Sequence, residues 1–106
     1  MKLTFEELIE QHGLWADATF PKGTAEGALI HAGRELIEVQ AEVLRGGVTF
    51  SMAVEYADLL FCILDSARRQ GLTLNEIINA GEHKLNINKA RKWKDNGDGS
   101  YSHIKD

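Results

Sequence analysis

Six carboxylates lie within the two most apolar segments of this chain, and any fold must accommodate them. The first segment, HAGRELIEVQAEVL, carries Glu35, Glu38 and Glu42; the second, SMAVEYADLLFCILDSA, carries Glu55, Asp58 and Asp65. Glu35, Glu38 and Glu42 are spaced i, i+3, i+7. Glu55 and Asp58 are spaced i, i+3, and Asp65 lies seven residues beyond Asp58. Each set therefore falls on one face of a helix. In the second segment the neighbours are Val, Ala, Leu, Phe, Ile and Tyr, so that helix is expected to be mostly buried. A carboxylate removed from water without compensation is costly, and stacked acids repel. Something positive is expected between the two helices, and a hard divalent cation with oxygen ligands fits best.

The length of 106 residues suits one domain, read here as 1–106 with about 96–106 as a flexible or swapped tail. A core of modest size is expected, with long helices burying an extra face against a second copy. The net charge of −4 argues against a dedicated nucleic-acid binder. That charge is segregated. From Glu35 to Asp65 there are six acids and one base, Arg45, whereas from Glu82 to Asp95 five bases face two acids. Such a division suits an anionic, metal-bound ligand, and equally suits two solvated faces of opposite sign. Cys62 is the one cysteine, which excludes an internal disulfide and a thiolate metal site. It reads as a small buried hydrophobe. MKLTFEELIEQ has no apolar leader-like core, and no apolar run is long enough to cross a membrane. A cytoplasmic protein is expected.

Four helices are legible. Thr4 with Glu7 forms a capping-box signal for the first, with Gly13 near its end or interrupting it. Trp15 to Thr24, containing Pro21 and Gly23, reads as a loop. The second helix spans roughly Thr24 to Leu44 and stops at Gly46-Gly47. Thr49 or Ser51 caps the third, which runs to about Gln70 with Gly71 as its terminating glycine; Arg68 and Arg69 suit its dipole. Thr73 and Glu76 open the fourth, which extends to about Trp93. The tail DNGDGSYSHIKD frays, forms a small hairpin or folds over a neighbour. Short links make helices two, three and four antiparallel neighbours.

Two constellations carry chemistry. Glu35-Leu-Ile-Glu38 and Glu55-Tyr-Ala-Asp58, on antiparallel helices, can form a four-carboxylate cage for Mg²⁺ or Mn²⁺. The alternative is surface acids on amphipathic helices. A di-iron centre would want Glu-x-x-His pairs, which neither segment has. His31, one turn before Glu35, reads as a neighbour of the cage rather than a ligand. The second constellation is Lys84, Asn88 and Arg91, spaced i, i+4, i+7. An ammonium, an amide and a guanidinium on one face suit polyphosphate oxygens; a solvated basic helix end is the alternative. Trp93 lies on the opposite face. There is no G-x-x-x-x-G-K-[ST], no G-x-G-x-x-G, and no evident Ser or Cys nucleophile with a His partner.

Taken together, these motifs resemble the MazG-like all-α nucleoside triphosphate pyrophosphohydrolases, whose pattern is E-E-x-x-E, a gap, then E-x-x-D. Here it reads Arg34-Glu35-Leu-Ile-Glu38 and Glu55-Tyr-Ala-Asp58, with Arg34 in place of the first Glu. The chain is most similar to the dATP/dGTP diphosphohydrolase branch found in phage and bacteria. Trp15, Thr19-Phe20, His31 to Glu38, Leu64 to Gly71, and Lys84, Asn88, Arg91 and Trp93 carry that likeness, with Asp98-Gly99 and His103 in the tail.

The resemblance implies a four-helix MazG-like bundle completed by oligomerisation, as a homodimer or homotetramer. It implies hydrolysis of a purine deoxynucleoside triphosphate, dGTP ahead of dATP, to monophosphate and pyrophosphate. Glu35, Glu38, Glu55 and Asp58 would hold two or three Mg²⁺ or Mn²⁺ ions. Lys84, Asn88 and Arg91 would meet the phosphates, with Lys84 also acting in catalysis. The base would lie against Trp15 and Phe20, with His31 beside the nucleotide, although both aromatics can equally be core anchors. No nucleic acid or membrane partner is implied. Two other readings remain at this stage: a non-catalytic helical interaction or regulatory module, and a nucleotide sensor.

Overall fold

The computed structural model describes residues 2–105, which form four helices followed by a small hairpin: α1 (Phe5–Thr19), α2 (Ala25–Arg45), α3 (Phe50–Arg69), α4 (Leu74–Ala90), β1 (Trp93–Asp95) and β2 (Tyr101–His103). Local chemistry sets most helix ends. The Thr4 hydroxyl accepts from Glu7 N at 3.1 Å while the Glu7 carboxylate accepts from Thr4 N at 2.9 Å. These bonds hold the Glu7 carboxyl below its ordinary range. Thr24 and Thr49 cap α2 and α3 by accepting from Gly27 N and Met52 N. At the far end of α3, Leu72 N donates to Ala67 O and Gly71 N to Arg68 O, with Gly71 at φ +93°. This paired arrangement ties down carbonyls of the last turn and needs a left-handed residue.

The loop expected over 15–24 is shorter than its composition implies. α1 continues through Gly13 and Trp15 to Thr19, leaving a turn at 20–24. Glycine weakens a helix by about 1 kcal/mol relative to alanine. Here it is kept because Gly13 is buried, and a Cβ would stand 2.8 Å from Arg68 Cδ and Nε. Packing against α3 therefore overrides the local signal. The fourth helix is also shorter than expected: it stops at Ala90, and Trp93 begins a strand.

The chain divides into two compact units, Met1–Leu74 and Asn75–Asp106. In the first, α2 and α3 pack side by side across the 46–49 link, and α1 packs on α3. Among the described residues, Ala16, Ala32, Val39 and Cys62 are its buried apolar residues, and no large side chain is fully buried. Ser66 Oγ donates to Ala25 O at 2.7 Å, tying α3 to the start of α2. Much apolar surface on α2 and α3 remains exposed, including Leu36, Ile37, Leu44 and Phe50. In the second unit, the tail takes the hairpin alternative. Trp93 pairs with His103 and Asp95 with Tyr101, and Trp93 Nε1 donates to Asn88 O at 3.0 Å. No helix of the described residues is long and apolar enough to cross a membrane.

Gly71→Ala should cost about 1–2 kcal/mol, the penalty of a left-handed non-glycine residue. Chemical denaturation should show this as a lower midpoint at unchanged slope. An unchanged midpoint would show that another motif ends α3.

Candidate active site

α2 and α3 bring their acids together along one seam. One ligand atom from each of His31, Glu35 and Asp58 can lie within 4.8 Å of the others, and the same holds for Glu35, Glu38 and Glu55. Glu35 belongs to both groups and is buried. Burial, then the neighbouring Asp58 and Glu38 charges, raise its carboxyl above the ordinary range, against an opposing contact with His31. His31 Nε2 and Glu35 Oε1 are 3.1 Å apart. Among the described residues, no lysine or arginine pairs with Glu35, Glu38, Glu55 or Asp58. Convergent carboxylates that repel one another and lack a cation of their own fit a hard divalent ion.

The other two acids have partners within the chain. Glu42 pairs with Arg45, one turn along α2. Asp65 accepts from Arg68 Nη2 at 2.7 Å and Arg69 Nε at 2.9 Å, and Arg68 also forks onto Asp17 at 2.9 and 3.1 Å. Burial alone would raise the Asp65 carboxyl, but the bonds and charges of Arg69 and Arg68 together hold it below the ordinary range. Arg68 and Arg69 thus do more than complement the α3 dipole. Their i+3 and i+4 spacing from Asp65 was the available signal.

Beside the carboxylates lies a cavity of about 300 Å³, at the small end for a ligand pocket. Trp15, Phe20, His31, Arg34 and Asp58 line it, with His12, Cys62, Asp65 and Arg69. The His12 ring stacks on Phe61 at 4.3 Å with 8° between planes, and Trp15 meets Phe20 edge-on at 5.3 Å. Burial, with help from Arg68, pushes the His12 imidazole below its ordinary range, against Asp65 and Asp58. Sequence reasoning missed His12. Its i, i+3 relation to Trp15 has meaning only once α1 is known to continue past Gly13. Cys62 is buried as expected; burial first, then Asp58, Glu35 and Asp65, push its thiol up to about 11, which keeps it protonated.

Lys84 and Asn88 lie on α4, and Arg91 sits one residue past its end, where Arg91 N donates to Asn88 O at 3.3 Å. All three belong to the second unit. Asn88 and Arg91 are half-buried, and Lys84 is exposed.

The sequence profile of dATP/dGTP pyrophosphohydrolases matches residues 8–106. The chain belongs to this family. A dATP/dGTP diphosphohydrolase of Salmonella phage PMBT28 is 33% identical over 92 residues, which are 87% of this chain and 29% of that protein. The Eaa protein of Salmonella phage P22 is 34% identical over 102 residues, 95% of this chain and 30% of that protein. The chain thus spans under a third of the length of these curated relatives. Among solved structures it is similar to a cyanophage S-2L MazG-like pyrophosphohydrolase bound to dGDP and three catalytic Mn²⁺ ions per active site. The TM-score is 0.67 at 29% identity, covering 98% of this chain and 100% of that one.

The two buried acids predict opposite responses to substitution. Glu35 has a raised carboxyl, so its contribution to metal-free stability is fully present at acid pH and lost as pH rises through its folded range. Glu35→Gln should therefore raise the metal-free melting temperature, and the gain should widen as pH rises from the ordinary glutamate range to neutrality. Asp65 has a lowered carboxyl, so its stabilisation is present above the ordinary aspartate range and lost as pH falls through its folded range. Asp65→Asn should cost roughly 2–4 kcal/mol at neutral pH by leaving two arginines short of a partner. That deficit should shrink in acid. Thermal melts of both variants across pH 3–8 check both signs.

Proposed function

We propose that this chain hydrolyses a purine deoxynucleoside triphosphate, dGTP ahead of dATP, to the monophosphate and pyrophosphate. The observation that carries this reading is the uncompensated carboxylate cluster of Glu35, Glu38, Glu55 and Asp58 opening beside an aromatic cavity. Family membership and a neighbour holding dGDP with Mn²⁺ support it.

The four carboxylates would hold two or three Mg²⁺ or Mn²⁺ ions, with His31 fixing the Glu35 carboxylate from one turn away. Bound there, such ions would neutralise phosphate charge and make a water more acidic. Glu38, the exposed member of the cluster, is assigned to orient the attacking water. The water oxygen bonds to the α-phosphorus, the α–β bridging P–O bond breaks, and pyrophosphate leaves with the electron pair. Lys84, Asn88 and Arg91 are assigned to the phosphates, where an ammonium and a guanidinium offset developing charge. Trp15 and Phe20 present aromatic surface to the base.

The exposed apolar side chains of α2 and α3 support a homodimer or homotetramer. Sedimentation should give a mass of at least two chains at micromolar concentration.

Turnover of the eight common nucleoside and deoxynucleoside triphosphates with Mg²⁺, with products separated by chromatography, tests the reaction. dGMP and pyrophosphate are expected from dGTP. Initial dGDP and orthophosphate would reject attack at the α-phosphorus. Faster turnover of dCTP or dUTP would reject the purine preference alone. Asp58→Asn should abolish turnover with helical content retained. Near-normal activity of that variant at limiting Mg²⁺ would remove Asp58 from the metal set.

A further inference from the structure

Arg69 is the side chain on which the wall of the aromatic cavity converges. It stands in the last residue of α3, yet its guanidinium reaches both α1 and the turn after it. Nε donates to Asp65 Oδ2 at 2.9 Å, Nη1 to Gly23 O at 3.0 Å, and Nη2 to Ala16 O at 3.4 Å. The group is largely shielded from water, with its side chain 13% exposed. Gly23 N donates to Phe20 O at 2.9 Å, closing the turn from which Phe20 and Thr24 face the cavity. An added Cβ at Gly23 would stand 2.9 Å from Arg69 Cζ and Nη2, so the turn's backbone lies directly on the guanidinium.

We propose that Arg69 is a positioning residue for nucleotide recognition: its planar fork, anchored by Asp65, holds the 20–24 turn where Phe20 and Thr24 complete the cavity wall. This rests on the nucleotide reading given above. A guanidinium donates in several fixed directions at once, whereas an ammonium acts as a point charge on a flexible stem. Lysine at this position can keep the charge near Asp65 but cannot hold the Gly23 and Ala16 carbonyls in one plane. Arg68 provides the contrast. It is equally tied to Asp65 and also to Asp17, but does not line the cavity.

The test compares Arg69→Lys, Gly23→Ala and Arg68→Lys with the wild type in the full chain. KM and kcat for dGTP are measured with Mn²⁺, dGDP binding by calorimetry, and Mn²⁺ binding without nucleotide. Arg69→Lys and Gly23→Ala should each raise KM and weaken dGDP binding by about tenfold, with kcat within about twofold and Mn²⁺ binding unchanged. Gly23→Ala reaches the same contact with the arginine intact, so the result does not depend on one variant folding. Arg68→Lys should lower the melting temperature without moving KM. Unchanged KM and dGDP affinity in both turn variants would overturn the proposal, as would a fall in kcat at constant KM. An equal KM change in Arg68→Lys would also overturn it, by reducing Arg69 to one of two general stabilisers. A wild type that binds dGDP but releases no pyrophosphate refutes the proposed reaction alone, since dGDP affinity still reads the wall. A wild type that binds no dGDP overturns both.

Discussion

Two carboxylates are buried along the α2–α3 seam, and the chain treats them in opposite ways. Asp65 is matched from within, by two arginines at i+3 and i+4 on its own helix. Glu35 is left among acids, with only His31 among the described residues against it. A buried charge without a partner is among the costliest things a small domain can hold. The two solutions therefore divide the seam by function. The Asp65 end is closed and fastens α1, the 20–24 turn and α2 to α3. At the Glu35 end, among the described residues, no lysine or arginine pairs with the acids.

The modest core follows from the same division. Seam positions that would hold leucine in an ordinary helical bundle are occupied by Glu35, Glu55, Asp58 and Asp65. The buried apolar set is correspondingly small: Ala16, Ala32, Val39 and Cys62. Polar tethers supply part of what the core lacks. Ser66 to Ala25 and Arg68 to Asp17 each join segments far apart in sequence, and each is anchored near Asp65. Meanwhile Leu36, Ile37, Leu44 and Phe50 remain on outer faces, where apolar area contributes only when something covers it. A metal cluster and a shared surface would thus each make good a deficit that this chain leaves open.

Helix ends were legible because they are decided within a few residues. Thr4 with Glu7, Thr24, Thr49, and Gly71 all act through bonds spanning three to five positions. The exceptions have tertiary causes. Gly13 read as near the end of the first helix or interrupting it, but Arg68 fills the space its absent side chain leaves. Trp15 read as loop because Pro21 and Gly23 follow it, yet the turn needs only residues 20–24. Trp93 read as helix, but its indole donates back to Asn88 O and its strand pairs with residues 101–103.

The sequence by itself determined the four helices, the face on which each acid lies, and a resemblance specific enough to suggest a reaction. Periodicity and capping are local, and spacing along a helix converts directly into geometry. Only the tertiary structure decided which acids stay uncompensated, because that depends on which side chains a neighbouring helix brings within reach. It brought Glu35 and Glu38 of α2 together with Glu55 and Asp58 of α3 and placed His12 against Phe61. It also turned Arg69 from a helix-end base into the fastening of a cavity wall. Each of these outcomes rests on contacts between segments up to about fifty residues apart, which spacing along one helix does not encode.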